Sequence, residues 1–105
     1  MAAQASPLTE TLRGAEFHRI ISDESRLRAL TCLYEAGELE AEELIDALSQ
    51  DPMQVREALG ELTACGVLSE RRERFRVHYR LADGLPAWVG IALGAARDWG
   101  VAAAR

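Results

Sequence analysis

The chain has 105 residues, with 12 Arg and no Lys against 17 Asp and Glu, for a formal net charge of −5. This length builds one domain with a modest core, and no apolar run is long enough to span a bilayer. Two cysteines, Cys32 and Cys65, are too few for a disulfide scaffold or a zinc cage, and the opening MAAQASPLTE has no secretory-signal pattern, so a cytoplasmic protein is expected.

Residues 1–7 are small, polar and proline-terminated, and are expected to form a disordered tail ahead of a single domain over residues 8–103. A first helix is predicted from Leu8 to Ile21, with Leu12, Phe17, Ile20 and Ile21 as its apolar face. Ser22 or Asp23 caps a second helix, which carries Leu27, Leu30, Leu33 and Tyr34 in one stripe and ends at Gly37. A third helix places Leu44, Ile45 and Leu48 at helical spacing. Ser49-Gln50-Asp51-Pro52 then makes a tight turn, with Asp51 as N-cap and Pro52 at the first helical position, where its missing N–H costs nothing.

The fourth helix aligns Val55, Leu59 and Leu62, and Gly66 stops it. A hairpin follows over Val67–Arg72 and Phe75–Leu81. Ala82-Asp83-Gly84 turns the chain, and Pro86 opens a final helix in which Leu85, Trp88, Val89, Ala92, Ala96 and Trp99 recur at helical spacing. The predicted fold is mainly α with a small β-hairpin, a winged helix-turn-helix in the order α-α-α-α-β-β-α. Two helices joined by a short turn can set the second into a DNA major groove.

Charge is unevenly distributed. Residues 1–50 hold four Arg against ten acids, whereas residues 51–80 hold six Arg against five, and five of those six lie between Arg71 and Arg80. Net acidity argues mildly against nucleic-acid binding, but the predicted wing is locally basic.

The stretches SDESRLRAL, GELEAEELIDAL, VREALGELTACGVL and RRERFRVHYRL together resemble the ArsR/SmtB family of winged-helix repressors, from about Phe17 to Leu81. The resemblance rests on Asp23, Arg26-Leu27-Arg28 and Leu30, on Glu43-Leu44 and Ala47-Leu48, on the Leu59, Leu62 and Gly66 frame, and on Tyr79-Arg80-Leu81. It implies a homodimer built on the first and last helices, with the fourth helix and the wing on operator DNA. It also implies release by a metal or by thiol modification. Several positions depart from the family pattern. Glu40 and Glu42 stand where its metal sensors often carry a Cys-x-Cys pair, and carboxylates do not replace thiolates for soft ions. The last helix has no His. Gln54, Arg56, Glu57 and Ala58 stand where Ser, Arg and His are usual.

The expected DNA-binding residues are Gln54 and Arg56 on the fourth helix, with Arg71, Arg72, Arg74, Arg76 and His78 on the wing. Leu12, Leu85, Trp88, Val89, Ala92 and Trp99 are the expected dimerisation residues, because an apolar terminal helix on a small domain needs a cover. Glu38, Glu40, Glu42 and Glu43 read as acids favoured around a helix N-terminus rather than as metal ligands. No cofactor and no metal are expected, and the inducer is not legible. The residue inventory holds no catalytic constellation, so an enzyme is not expected.

The leading reading is therefore a homodimeric transcriptional regulator that binds operator DNA. One alternative is a winged-helix protein-interaction module with little DNA affinity, motivated by the net acidity and Glu57. Another is a thiol redox-sensing repressor using Cys32 and/or Cys65, although no basic residue adjoins Cys32 in sequence and Cys65 lies at a helix C-terminus, where the dipole disfavours a thiolate.

Overall fold

The computed structural model describes residues 14–98. Five helices and three strands follow in order: α1 Gly14–Ile21, α2 Glu24–Ala36, β1 Glu38–Glu40, α3 Ala41–Leu48, α4 Pro52–Ala64, β2 Leu68–Glu73, β3 Arg76–Leu81 and α5 Ala87–Asp98. The fold class is the expected winged helix-turn-helix. The element order needs one correction, because a strand, β1, precedes α3. It pairs antiparallel with β3, giving a sheet ordered β1-β3-β2 with Leu39 opposite Tyr79 and Glu40 opposite His78. The expected 1–7 tail, Leu12 and Trp99 lie outside the described residues. Among the described residues no helix is long and apolar enough to cross a membrane.

Helix α2 is the centre of the domain and packs against α1, α3, α4, α5 and β3. Its Ala29, Leu30 and Leu33 are buried with Phe17 and Ile20 of α1, Leu44, Ile45 and Leu48 of α3, and Val55, Leu59 and Leu62 of α4. Val89 and Leu93 close this core from α5. Tyr34 lies over Gly90 and Gly94, where an added Cβ would stand 3.6 and 3.4 Å from its ring carbon and hydroxyl. Both are ordinary van der Waals distances, so Tyr34 packs along this face of α5 without the glycines being required for it.

Helix ends follow local chemistry. The Asp23 carboxylate accepts the Arg26 N–H at 3.0 Å, as an N-cap should. Gly37 takes φ 91° and returns its N–H to the Leu33 carbonyl at 2.8 Å. At the end of α4, Gly66 (φ 83°) donates to Thr63 O and Val67 donates to Leu62 O, both at 3.0 Å. That pair of bonds is a Schellman motif, and it explains why the chain reverses at Gly66. Asp51 occupies the N-cap position of α4, but its side chain makes no capping bond, and Pro52 opens the helix as expected.

The turn between α3 and α4 is held from outside. Ser49 is left-handed at φ 53°. Arg28, 9% exposed, donates from Nη2 to the Leu48 carbonyl at 2.9 Å, satisfying one of the carbonyls that the end of a helix leaves without a partner. Arg26 does the same for α1, donating from Nε to Ile20 O at 2.8 Å, and it also bridges to Glu61 of α4.

Candidate nucleic-acid interface

Because Val55, Ala58, Leu59 and Leu62 face the core, α4 turns Met53, Gln54, Arg56 and Glu57 to the surface. Both expected readers, Gln54 and Arg56, are therefore accessible in the first two turns after the helix-turn-helix corner. The hairpin runs one residue later than expected at its tip: Glu73 pairs with Arg76, so Arg74 and Phe75 form a two-residue loop. Arg74 has φ 59°, the left-handed conformation that hairpin turns of this length require at the first central residue. Phe75, expected to begin the second strand, instead stands wholly exposed at the tip.

Arg71, Arg72, Arg74 and Arg76 are all exposed, but most are already engaged with acids. Arg71 binds Glu38 of β1 and Glu73 of β2. Arg76 reaches Glu40 at 2.7 Å, and Arg56 reaches Glu42 at 2.6 Å. Arg72 lies 3.4 Å from Glu70, and Arg80 pairs with Asp83 at 3.0 Å. Arg74 is the wing arginine without an ion pair among the described residues. A groove of about 260 Å³ opens between α4 and the wing, lined by Glu40, Ala41, Glu42, Arg56, Phe75, Arg76 and Val77. The Arg71 guanidinium holds the Glu38 carboxyl below the usual carboxylate range. The stability from that pairing is present above the ordinary carboxylate pKa and is lost as pH falls through the lowered one.

The acids of this edge are the functional feature that sequence reasoning missed. They were legible as acids near a helix start. Their partners were not, because Arg71 and Arg76 meet Glu38 and Glu40 across the sheet through a strand of three residues, and Arg56 meets Glu42 from the next helix. Glu40 and Glu43 also keep the expected local role as a capping box at the start of α3, with Glu43 accepting the Glu40 N–H at 2.8 Å. Among the described residues no group of three or more His, Cys, Asp or Glu could hold a metal ion.

His78 does not stand open to a phosphate, as its place in the wing strand suggested. It lies on the central strand, half-buried, with its ring nitrogens 3.6 Å from Glu38 and 3.8 Å from Glu73. Both cysteines are free and partly buried. Burial pushes the Cys32 thiol up, Glu35 adds to the shift and Arg28 opposes it. A raised thiol is mostly protonated near neutral pH and a poor nucleophile. Iodoacetamide should therefore alkylate Cys32 more slowly in the folded protein than in urea at the same pH, followed by peptide mass spectrometry. The same shift makes stability fall as pH rises above the unfolded thiol pKa, since the unfolded chain ionises first. A folded rate equal to the unfolded one would remove the argument for an inert thiol.

The expected dimerisation residues divide. Leu85 and Ala92 are half-buried against the core. Val89, 1% exposed, belongs to the chain's own core and cannot be a surface contact. Trp88 is 38% exposed and meets Phe17 edge-on, with centroids 5.1 Å apart. Ile91, outside the apolar repeat that marked the others, is 73% exposed. It lies one turn from Trp88 and one turn before exposed Ala95.

No protein-family model matches the chain. Its relatives are more informative. The arsenical resistance operon repressor of Escherichia coli is 37% identical over 73 residues, covering 70% of this chain and 62% of that protein. The arsenic resistance transcriptional regulator ArsR1 of Pseudomonas putida is 31% identical over 96 residues, covering 89% of this chain and 75% of its own. The chain belongs to the ArsR/SmtB family. Among solved structures, the transcriptional repressor BigR of Xylella fastidiosa superposes with a TM-score of 0.70 at 25% identity, covering 81% of this chain and 83% of BigR. The homodimeric winged helix-turn-helix DNA-binding domain of Mb0332 from Mycobacterium bovis has the same fold, with a TM-score of 0.61 at 22% identity, covering 95% and 90%. This ArsR/SmtB chain spans about three-fifths of the Escherichia coli repressor.

Proposed function

We propose that the protein is a homodimeric transcriptional repressor that lays α4 in the major groove of operator DNA and sets its arginine-rich wing on the backbone. One observation carries the reading: Gln54 and Arg56 stand exposed beside a wing of arginines, in a chain whose relatives are named as an operon repressor and a transcriptional regulator. The homodimer draws support from the Mb0332 domain and from the apolar outer face of α5. Glu40 and Glu42 occupy the positions of the family's thiolate pair and are bound to arginines, so an arsenical inducer would not be held there by carboxylates.

In a gel shift or anisotropy titration against the DNA upstream of its own gene, Gln54→Ala should cost about 1–3 kcal/mol and relax specificity at one base, as loss of a base-edge contact does. Arg74→Ala should weaken all sequences alike and lower the salt slope by about one unit. The runner-up is a protein-interaction module, favoured by the engagement of nearly every wing arginine with an acid. Absence of DNA binding at low salt by the wild type, together with capture of a protein partner, would decide for it.

A further inference from the structure

We infer that the groove between α4 and the wing is a seat for a DNA backbone phosphate between Arg56 and Arg76, and that the carboxylates of Glu40 and Glu42 occupy it in the free protein. This rests on the DNA-binding reading and adds to it an internal competitor. Arg56 and Arg76 come from different elements, α4 and β3, yet line one groove. Each is held by a different acid at the β1–α3 junction, Arg56 by Glu42 at 2.6 Å and Arg76 by Glu40 at 2.7 Å. The Arg56–Glu42 pair is exposed at both ends, 55% and 71%, whereas the Arg76–Glu40 pair is open to solvent at the arginine, 72% exposed, with the Glu40 side chain 18% exposed.

Exposed pairs of this kind are weak, because water and salt screen them and two long side chains must be held in one geometry. A phosphate diester presents the same two-oxygen acceptor that a carboxylate presents, and arginine binds either in a forked pair. DNA can therefore take both arginines by exchange, and the displaced carboxylates are left beside a phosphate as like charges. Glu40 and Glu42 thus lower affinity twice, by holding the arginines before binding and by repelling the backbone after it. The exchange is sequence-independent, since phosphates carry no base information. It also accounts for a chain of net charge −5 being suited to a polyanion: the acids are placed so that they can let go.

The test uses the full chain, a fluorescein-labelled duplex of mixed sequence, and anisotropy titrations over a range of salt. Glu40→Gln with Glu42→Gln should tighten binding roughly fivefold to tenfold at low salt and steepen the salt slope by about one to two units. Adding Arg56→Ala should remove the gain from Glu42→Gln, and adding Arg76→Ala should remove the gain from Glu40→Gln. Glu24→Gln, exposed on α2 and not among the residues that line the groove, controls for net charge. Circular dichroism checks that each variant folds. A double variant that binds no tighter than wild type overturns the inference while leaving the regulator reading intact. The inference fails in the same way if Glu24→Gln tightens binding equally, or if the gain survives loss of both arginines. Failure of wild type and double variant alike to bind any duplex at low salt defeats both readings together.

Discussion

Ile91→Glu should turn the proposed dimer into a monomer. Ile91 is the most exposed large aliphatic side chain on α5, and it shares a face with Trp88. A two-fold interface uses each residue twice, once per protomer. Burying one such side chain is worth about 1.5–3 kcal/mol, so two copies amount to roughly 3–6 kcal/mol. Removing that contribution, and placing a carboxylate against its symmetry mate, should weaken association by at least about a hundredfold. Sedimentation equilibrium at micromolar concentration reads this directly. Trp88→Glu should act in the same direction but also disturb the Phe17 contact at 5.1 Å, so its thermal unfolding should shift as well. Ile91→Glu should leave the protomer fold unchanged, because it makes no buried contact there. A wild-type monomer, or an Ile91→Glu dimer of undiminished affinity, would rule out the α5 face as the interface. DNA binding should fall in parallel, since a dimer places two recognition helices on successive half-sites.

Much of the fold could be read from the chain because its signals are local. Asp23, Gly37, Pro52 and Gly66 mark helix ends through their own backbone chemistry, and each acts within a residue or two of where that chemistry puts it. The stripes of α2 and α4 are periodic over enough turns to define a buried face. What could not be read is whatever depends on residues far apart in sequence. β1 is three residues long and is a strand only because β3 offers it an edge. The Glu38 and Glu40 carboxylates look like solvated acids until the sheet brings them to Arg71 and Arg76. Val89 and Ile91 lie on the same apolar helix, and only the packing of α2 against it decides which is core and which is surface. At the hairpin tip the positive φ falls on Arg74, not on a glycine, so the usual turn signal is missing.

Arg28 belongs to the same group, and its loss should be the most damaging of any polar side chain in the domain. In the sequence, the Arg26-Leu27-Arg28 run is only a pattern. In the fold, Arg28 is buried to 9% exposure and donates to the Leu48 carbonyl at 2.9 Å, at the last residue of α3. That carbonyl has no helical partner, and the chain must turn sharply there through left-handed Ser49 into α4. Arg28→Met keeps most of the aliphatic stem but removes the guanidinium. It leaves a buried carbonyl unpaired and deletes a charge-assisted hydrogen bond, a loss of about 1.5–3 kcal/mol. For a domain of this size, that should lower Tm by roughly 6–20 °C. Arg28→Lys keeps a charged donor but on a shorter side chain and as a more strongly hydrated ammonium, so it should recover only part of the loss. The effect should reach function beyond stability, because the turn sets the angle at which α4 leaves α3. At a temperature where the variant is still folded, its DNA affinity should be lower than wild type while the salt slope is unchanged, since no phosphate contact has been removed. An unaltered Tm for Arg28→Met would mean that the turn holds itself, and that Arg28 is merely accommodated there.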